Sequence, residues 1–192
     1  MKNIIKKHFI EIQKILQKSD ELINKTLKIS SFLKRKIIDK KKIFVYGNGG
    51  SFADASHFVG ELTASYSSKK RKPLPFVLLS SNTAALTGWA NDYNFHDYVS
   101  REFSTLGSKG DVLFLFSTSG GNLNNKKSLN LIRLAKLAKS KKIEIIALLG
   151  KGGGELKKIA NQSIIVNSNK TASIQETHKI IFHSICETFE NI

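Results

Sequence analysis

The sequence predicts an α/β fold built on a parallel sheet. Five short runs of continuous apolar residues recur along the chain: IFVY (43–46), FVLLS (76–80), DVLFLFS (111–117), IEIIALLG (143–150) and SIIVN (163–167). None alternates with polar residues, as a strand with one wet face would, so each suits a strand buried on both faces. Helix-like segments separate them, and a strict strand–helix alternation is the pattern of parallel sheets with crossover helices.

Taken in order, the chain opens with an arm over residues 1–40. Ile5, Phe9, Ile12 and Leu16 follow helical spacing, and the apolar stripe continues through Leu22 and Ile23 to Phe32 and Leu33. A helical arm of this length ahead of the first strand suits packing between subunits. The helical segments between strands are 53–66, 82–91, 124–140 and 154–160, and Pro73 and Pro75 precede the second strand. A last helix over 173–191 carries Ile174, Ile181, Ile185 and Phe189 on its apolar side. With no internal repeat and no low-complexity linker, residues 1–192 are expected to form a single domain.

Composition narrows the function classes. The chain has 192 residues, 41% of them hydrophobic, so it can bury a real core. No stretch reaches the roughly 18 uninterrupted apolar residues that a membrane span needs. The N-terminal MKNIIKKHFIEIQKIL is charged throughout and lacks an apolar signal core, so the cytoplasm is the expected location. Cys186 is the single cysteine, sits among apolar residues, and is expected to pack in the core. The formal net charge of +16 raises nucleic acid as a partner. The cations are nearly all lysines, however, and base-edge reading favours the bidentate fork of arginine. Attraction of an anionic small substrate explains the charge without specific nucleic-acid binding.

Two loops carry the chemical signal. The stretch VYGNGGSFADASHFVGEL (45–62) breaks a strand with dense glycine and then places His57 and Glu61 four apart, on one helix face. It is neither nucleotide fingerprint: Phe52 stands where a dinucleotide-binding loop needs glycine, and the Gly-Lys-Ser/Thr of a phosphate-binding P-loop is missing. The second loop, residues 116–125, runs Phe-Ser-Thr-Ser-Gly-Gly-Asn-Leu-Asn-Asn after the third strand. Its consecutive hydroxyls and glycines exceed what a helix cap needs and point to a phosphate site at a helix N-terminus.

These loops, with the last helix, resemble the phosphoheptose isomerase family of the sugar-isomerase (SIS) fold. The matching segments are Gly47-Asn-Gly-Gly-Ser-x-Ala-Asp-Ala-x-His-Phe58 with Glu61-Leu-Thr63, Leu86-Thr87 with Ala90-Asn-Asp-Tyr93, Ser117-Thr-Ser-Gly120, Gly150-Lys-Gly-Gly-Gly154, and Ile174-Gln-Glu-x-His178 with His183. The resemblance implies a five-stranded parallel sheet in a flavodoxin-like three-layer sandwich, assembled as a homotetramer with active sites between subunits. It implies conversion of sedoheptulose 7-phosphate to D-glycero-D-manno-heptose 7-phosphate through an enediol, with Glu61 and His183 as the acid–base pair. One zinc per subunit would be held by His57, Glu61, Gln175 and His183. Substrate would meet Asn48, Gly49, Gly50, Ser51, Glu61, Asn91, Asp92, Ser117, Thr118, Ser119, Asn122 and Gln175. The alternatives are isomerisation of another sugar phosphate, and a non-catalytic SIS-fold binding protein of the kind that associates with a replication initiator.

The sequence also departs from the family. Where the family has Ser-Gly-Asn-Ser-Pro-Asn, this chain reads Ser119-Gly-Gly-Asn-Leu-Asn124, which puts Asn122 in place of a phosphate-binding serine. Ser65 stands where an arginine is common, and Phe52 and Trp89 replace smaller residues. Gln175 and His183 are eight apart on one helix, so they lie about 12 Å apart and point about 80° away from each other. That spacing leads to the expectation that His183 serves the neighbouring subunit's site. His178 needs only a structural role, and His8 and His96 are expected at the surface.

Overall fold

The apolar runs become five strands of one sheet. The computed structural model describes residues 1–17 and 19–190. Its elements are α1 (Lys2–Gln17), α2 (Asp20–Ile38), β1 (Ile43–Gly47), α3 (Gly50–Thr63), β2 (Phe76–Leu78), α4 (Thr83–Asp92), α5 (Phe95–Leu106), β3 (Val112–Ser117), α6 (Leu129–Ser140), β4 (Glu144–Gly150), α7 (Gly154–Ile159), β5 (Gln162–Val166) and α8 (Thr171–Phe189). The strand order is β2-β1-β3-β4-β5, with every neighbour pair parallel.

Because side chains alternate along a strand, each strand feeds two cores. Ile43 and Val45 of β1, Phe114 and Phe116 of β3 and Leu148 of β4 pack beneath α2, α3 and α8. Phe44 and Tyr46, Leu113 and Leu115, and Leu149 pack beneath α5, α6 and α7 on the other side. The result is the expected three-layer sandwich, and the centre of the first core is aromatic. Phe58 of α3 meets Phe76, Phe114, Phe116 and Phe182, with ring centroids between 5.2 and 6.0 Å. Cys186 is fully buried in this layer, and burial pushes its thiol up to about 12, so it is inert packing, as expected.

Three boundaries differ from expectation for identifiable reasons. α5 was absent from the sequence pattern, yet Tyr98, Val99 and Phe103 bury one side of it and Asn94 caps its start by accepting from the Asp97 amide. The helix expected from 124 begins only at Leu129. Before it, Asn122 and Lys127 pair their backbones across a turn, and Asn122 Oδ1 accepts from the amides of Asn124 and Asn125. Local side-chain bonds of this kind compete with helix. The N-terminal arm is two helices, α1 and α2. α1 buries no residue and is tied down by His8 against Glu176 (2.8 Å) and Glu11 against Ser168 and Lys170, so His8 is only half-exposed. Asn191 of the expected last helix lies outside the described residues.

His178 of α8 is fully buried, with Nε2 3.2 Å from the Leu149 carbonyl, and burial holds its pKa down at about 4. The unfolded chain, titrating near 6.5, therefore binds more protons between pH 6.5 and 4. Stability is intact above pH 6.5 and falls as pH drops through that window, by about 3 kcal/mol in all. Urea denaturation from pH 7 to pH 4 is expected to show this loss in the wild type and a shallower one in His178→Gln.

Candidate active site

The sheet order reverses between β1 and β3. The helix after β1 lies on one face of the sheet and the helix after β3 on the other, which opens a crevice at the strands' C-terminal ends. The two glycine-rich loops meet there. Gly49, with φ of +55°, makes the turn into α3. Gly50 opens that helix against Gln175, where a Cβ would collide with the glutamine amide. In the second loop the buried Ser117 Oγ accepts from the Gly120 amide at 3.0 Å, so its hydroxyl folds the loop from within. Gly120 has φ of +68°, and the space of its missing Cβ is filled by the Gly153 carbonyl. Thr118 and Ser119 are left half-buried at the mouth. Beside Asn48 a cavity of about 440 Å³ runs under Phe52, Leu86 and Phe95.

From Gly50, α3 and α8 run side by side in parallel, and polar groups face each other along the seam. Gln175 meets Gly50, Lys179 Nζ lies 3.7 Å from Asp54, and the His183 ring stands edge-on to His57 with centroids 5.1 Å apart. His57 Nε2 and Glu61 Oε1 are 2.9 Å apart, the one-turn contact that the spacing predicts. Burial, reinforced by the neighbouring His57 and Lys179 and opposed by Glu61, lowers the His183 pKa, which favours a neutral imidazole able to accept a proton. Asp54 is buried with Oδ2 unpartnered, and burial raises its pKa against the pull of Lys179. At the end of α3, the guanidinium of Arg71 donates to the carbonyls of Glu61 (2.7 Å) and Leu62 (3.0 Å) and pairs with Glu190. It caps the helix end that carries Glu61.

Two imidazoles and a carboxylate on facing helices are chemically suited to a borderline divalent cation. Among the described residues no three His, Cys, Asp or Glu groups converge at ligating geometry: His57 is turned onto Glu61, and the two imidazoles meet ring to ring. The donor types fit the metal, and their side chains have to reorient to hold it.

Comparison with known proteins agrees with this fold. The SIS domain model matches residues 7–150. Phosphoheptose isomerase 1 of Campylobacter jejuni is 39% identical over 190 residues, covering 99% of this chain and 98% of that one. The Helicobacter pylori phosphoheptose isomerase is 38% identical, covering 98% and 95%. The chain belongs to the phosphoheptose isomerase family of SIS domain proteins. The solved phosphoheptose isomerase from Neisseria gonorrhoeae superposes with a TM-score of 0.87 at 32% identity, over 100% of this chain and 99% of that one. The Francisella tularensis structure gives 0.90 at 26% identity, over 99% and 98%.

Set against the family's pattern, the structure places two of the expected residues away from where the spacing suggested. Asn122 is exposed on the turn before α6 and opens no helix. The residue that does is Ser128, with Leu129 and Asn130 following, a Ser-x-Asn order like the one that closes the family's motif. His183 lies beside His57 of its own chain, and Gln175 is the distant member, at Gly50. The eight-residue separation is real, but the parallel neighbour α3 gives each of the two a different partner. Asn91 and Asp92 are exposed at the end of α4 and bonded to each other at 2.9 Å, outside the cavity beside Asn48. Sequence reasoning missed Asn130, Lys179 and Arg71. For Asn130 a signal existed in the Ser-x-Asn spacing; Lys179 and Arg71 had none.

Gly120→Ala combines a disfavoured φ with a Cβ driven into the Gly153 carbonyl, and an unfolding free energy lower by about 2–4 kcal/mol is expected. Urea denaturation measures it.

Proposed function

We propose that the protein isomerises a ketose phosphate to an aldose phosphate, with sedoheptulose 7-phosphate as substrate and D-glycero-D-manno-heptose 7-phosphate as product, in heptose biosynthesis. The observation that carries the proposal is the polar row on α3 and α8, which starts at the glycine loop and brings Glu61 and His183 to the same point of one chain. Full-length similarity to enzymes named phosphoheptose isomerase supports it.

The residues divide the work. Thr118, Ser119 and Ser128, with the N-terminus of α6, bind the phosphate, and Ser117 shapes their loop. Asn48, Gly49, Gly50, Ser51 and Gln175 orient the sugar. Glu61 removes a proton from C1 of the ketose and returns it to C2. The neutral imidazole of His183 takes the proton from O1 and passes it to O2, so the aldehyde forms at C1 and the hydroxyl at C2 with no net proton change. One zinc per subunit, held by His57, Glu61, His183 and Gln175, would polarise the sugar's oxygens when bound.

The same reading includes a homotetramer. Ile4, Ile5 and Phe9 of α1, Ile23 and Leu27 of α2 and Ile180 of α8 are all exposed, an apolar surface of the kind a second copy covers. Asn91 and Asp92, which their own chain leaves outside the crevice, would then complete a neighbour's site. Among the described residues no helix is long and apolar enough to cross a membrane, in keeping with a cytoplasmic enzyme. The lysine-rich surface would draw in the anionic substrate rather than nucleic acid.

Incubation with a panel of ketose phosphates, read by mass spectrometry and NMR, is expected to give an aldose product from sedoheptulose 7-phosphate. Conversion of another ketose phosphate alone would identify the substrate differently, and no conversion of any would leave the binding-protein alternative. Glu61→Gln and His183→Gln are each expected to lower turnover by roughly 10²–10⁴-fold. Because both residues sit in one chain's site, a mixture of the two mutants with verified subunit exchange should stay inactive; recovered activity would move His183 into a neighbour's site.

A further inference from the structure

We propose that Asn130 is a positioning residue that holds Asn48 in the substrate crevice and so couples the two glycine-rich loops. The proposal rests on the sugar-phosphate reading of the crevice.

Asn130 is only 1% exposed, one residue into α6, on a helix side otherwise formed by Leu131, Leu134, Ala135 and Ala138. A buried amide among aliphatic side chains is costly unless every polar atom is paired. Here the pairing is complete. Asn130 Nδ2 donates to Tyr46 Oη at 3.1 Å and to Asn48 Oδ1 at 2.7 Å. Asn48 Nδ2 donates back to Asn130 Oδ1 at 3.0 Å, and Tyr46 Oη donates to Asn48 Oδ1 at 3.2 Å. Three polar side chains thus close a ring in which each is satisfied by the other two. Polarisation within such a ring stiffens it.

The ring spans the point where the sheet order reverses. Tyr46 is near the end of β1, Asn48 is in the first loop, and Asn130 stands just behind the second loop. Of the three, the half-buried Asn48 and the buried Tyr46 line the cavity while Asn130 does not, so Asn130 acts on a ligand only through its two partners, and Asn48 is the more open of them. A purely structural pairing would not need to end on a crevice residue. Removing Asn130 leaves Asn48 with one partner and a free rotation, and a ligand must then fix that rotation on binding.

The test is a double-mutant cycle on the full chain with zinc supplied. Binding of sedoheptulose 7-phosphate is measured by calorimetry for wild type, Asn130→Ala, Asn48→Ala and the double variant, with a melting curve for each. Asn130→Ala is expected to weaken binding about tenfold, the loss of roughly one hydrogen bond to a charged or polar ligand, with kcat within threefold of wild type. Asn48→Ala should weaken binding at least as much, and the double variant should be no weaker than Asn48→Ala within twofold. Unchanged binding by a folded Asn130→Ala protein would overturn the proposal, as would effects of the two substitutions that multiply. Should Asn130→Ala not fold, the same cycle is run with Asn130→Asp, which keeps the size and loses the donor. Wild type that binds but does not turn over would sink the isomerase reading alone; wild type that binds no sugar phosphate would sink both.

Discussion

The parallel packing of α3 against α8 is the constraint on which the rest of the site depends. Phe58 is locked among Phe76, Phe114, Phe116 and Phe182 under the sheet-facing side of α3. Successive helical residues are turned by about 100°, so fixing Phe58 fixes the direction of every other side chain on that helix. His57 and Glu61 are then obliged to lie along the flank that meets α8, and Gln175, Lys179 and His183 follow one another there at four-residue intervals. Slipping either helix by one residue would bury an imidazole and expose a phenyl ring. The aromatic core is therefore what aims the polar seam.

The loops add a second level of order. Parallel strands end together, and where neighbouring strands send their helices to opposite faces nothing covers the strand ends. That gap would leave backbone amides unsatisfied. In this chain the loops answer the need themselves: Ser117 Oγ accepts from Gly120, the amides of Glu155 and Leu156 donate to the Gly121 and Gly120 carbonyls, and the Tyr46–Asn48–Asn130 ring closes the other side. Bonds within the loops hold their shape, and the half-buried Thr118, Ser119 and Asn48 remain at the crevice. Glycine is needed at position 120 because a carbonyl of the next crossover lies against it.

Arg71 joins the two levels. It follows α3 by eight residues, beyond any helical periodicity, and its side chain is buried against Glu190 at the far end of α8. From there it caps the carbonyl of Glu61. An arginine in the basic run Lys69-Lys70-Arg71-Lys72 looks like one more solvated cation, and its neighbours are indeed exposed. Only the return of the chain past the end of α3 distinguishes it from them.

The sequence by itself determined the layers. Continuous apolar runs separated by helical segments admit few arrangements other than a covered parallel sheet, and the motif spacing named the family and placed His57 beside Glu61. Both signals are local, set by the two- and 3.6-residue periods of the backbone. The partners across elements were decided by tertiary structure alone. His183 lies beside His57 because α8 runs parallel to α3, and no spacing within α8 encodes that. The turn at 122–127 hid the helix start at Ser128, since an Asx turn and a helix N-terminus draw on the same residue types. Asn130 and Arg71 gained their roles from contacts between residues far apart in sequence, whose geometry exists only once the sheet has assembled.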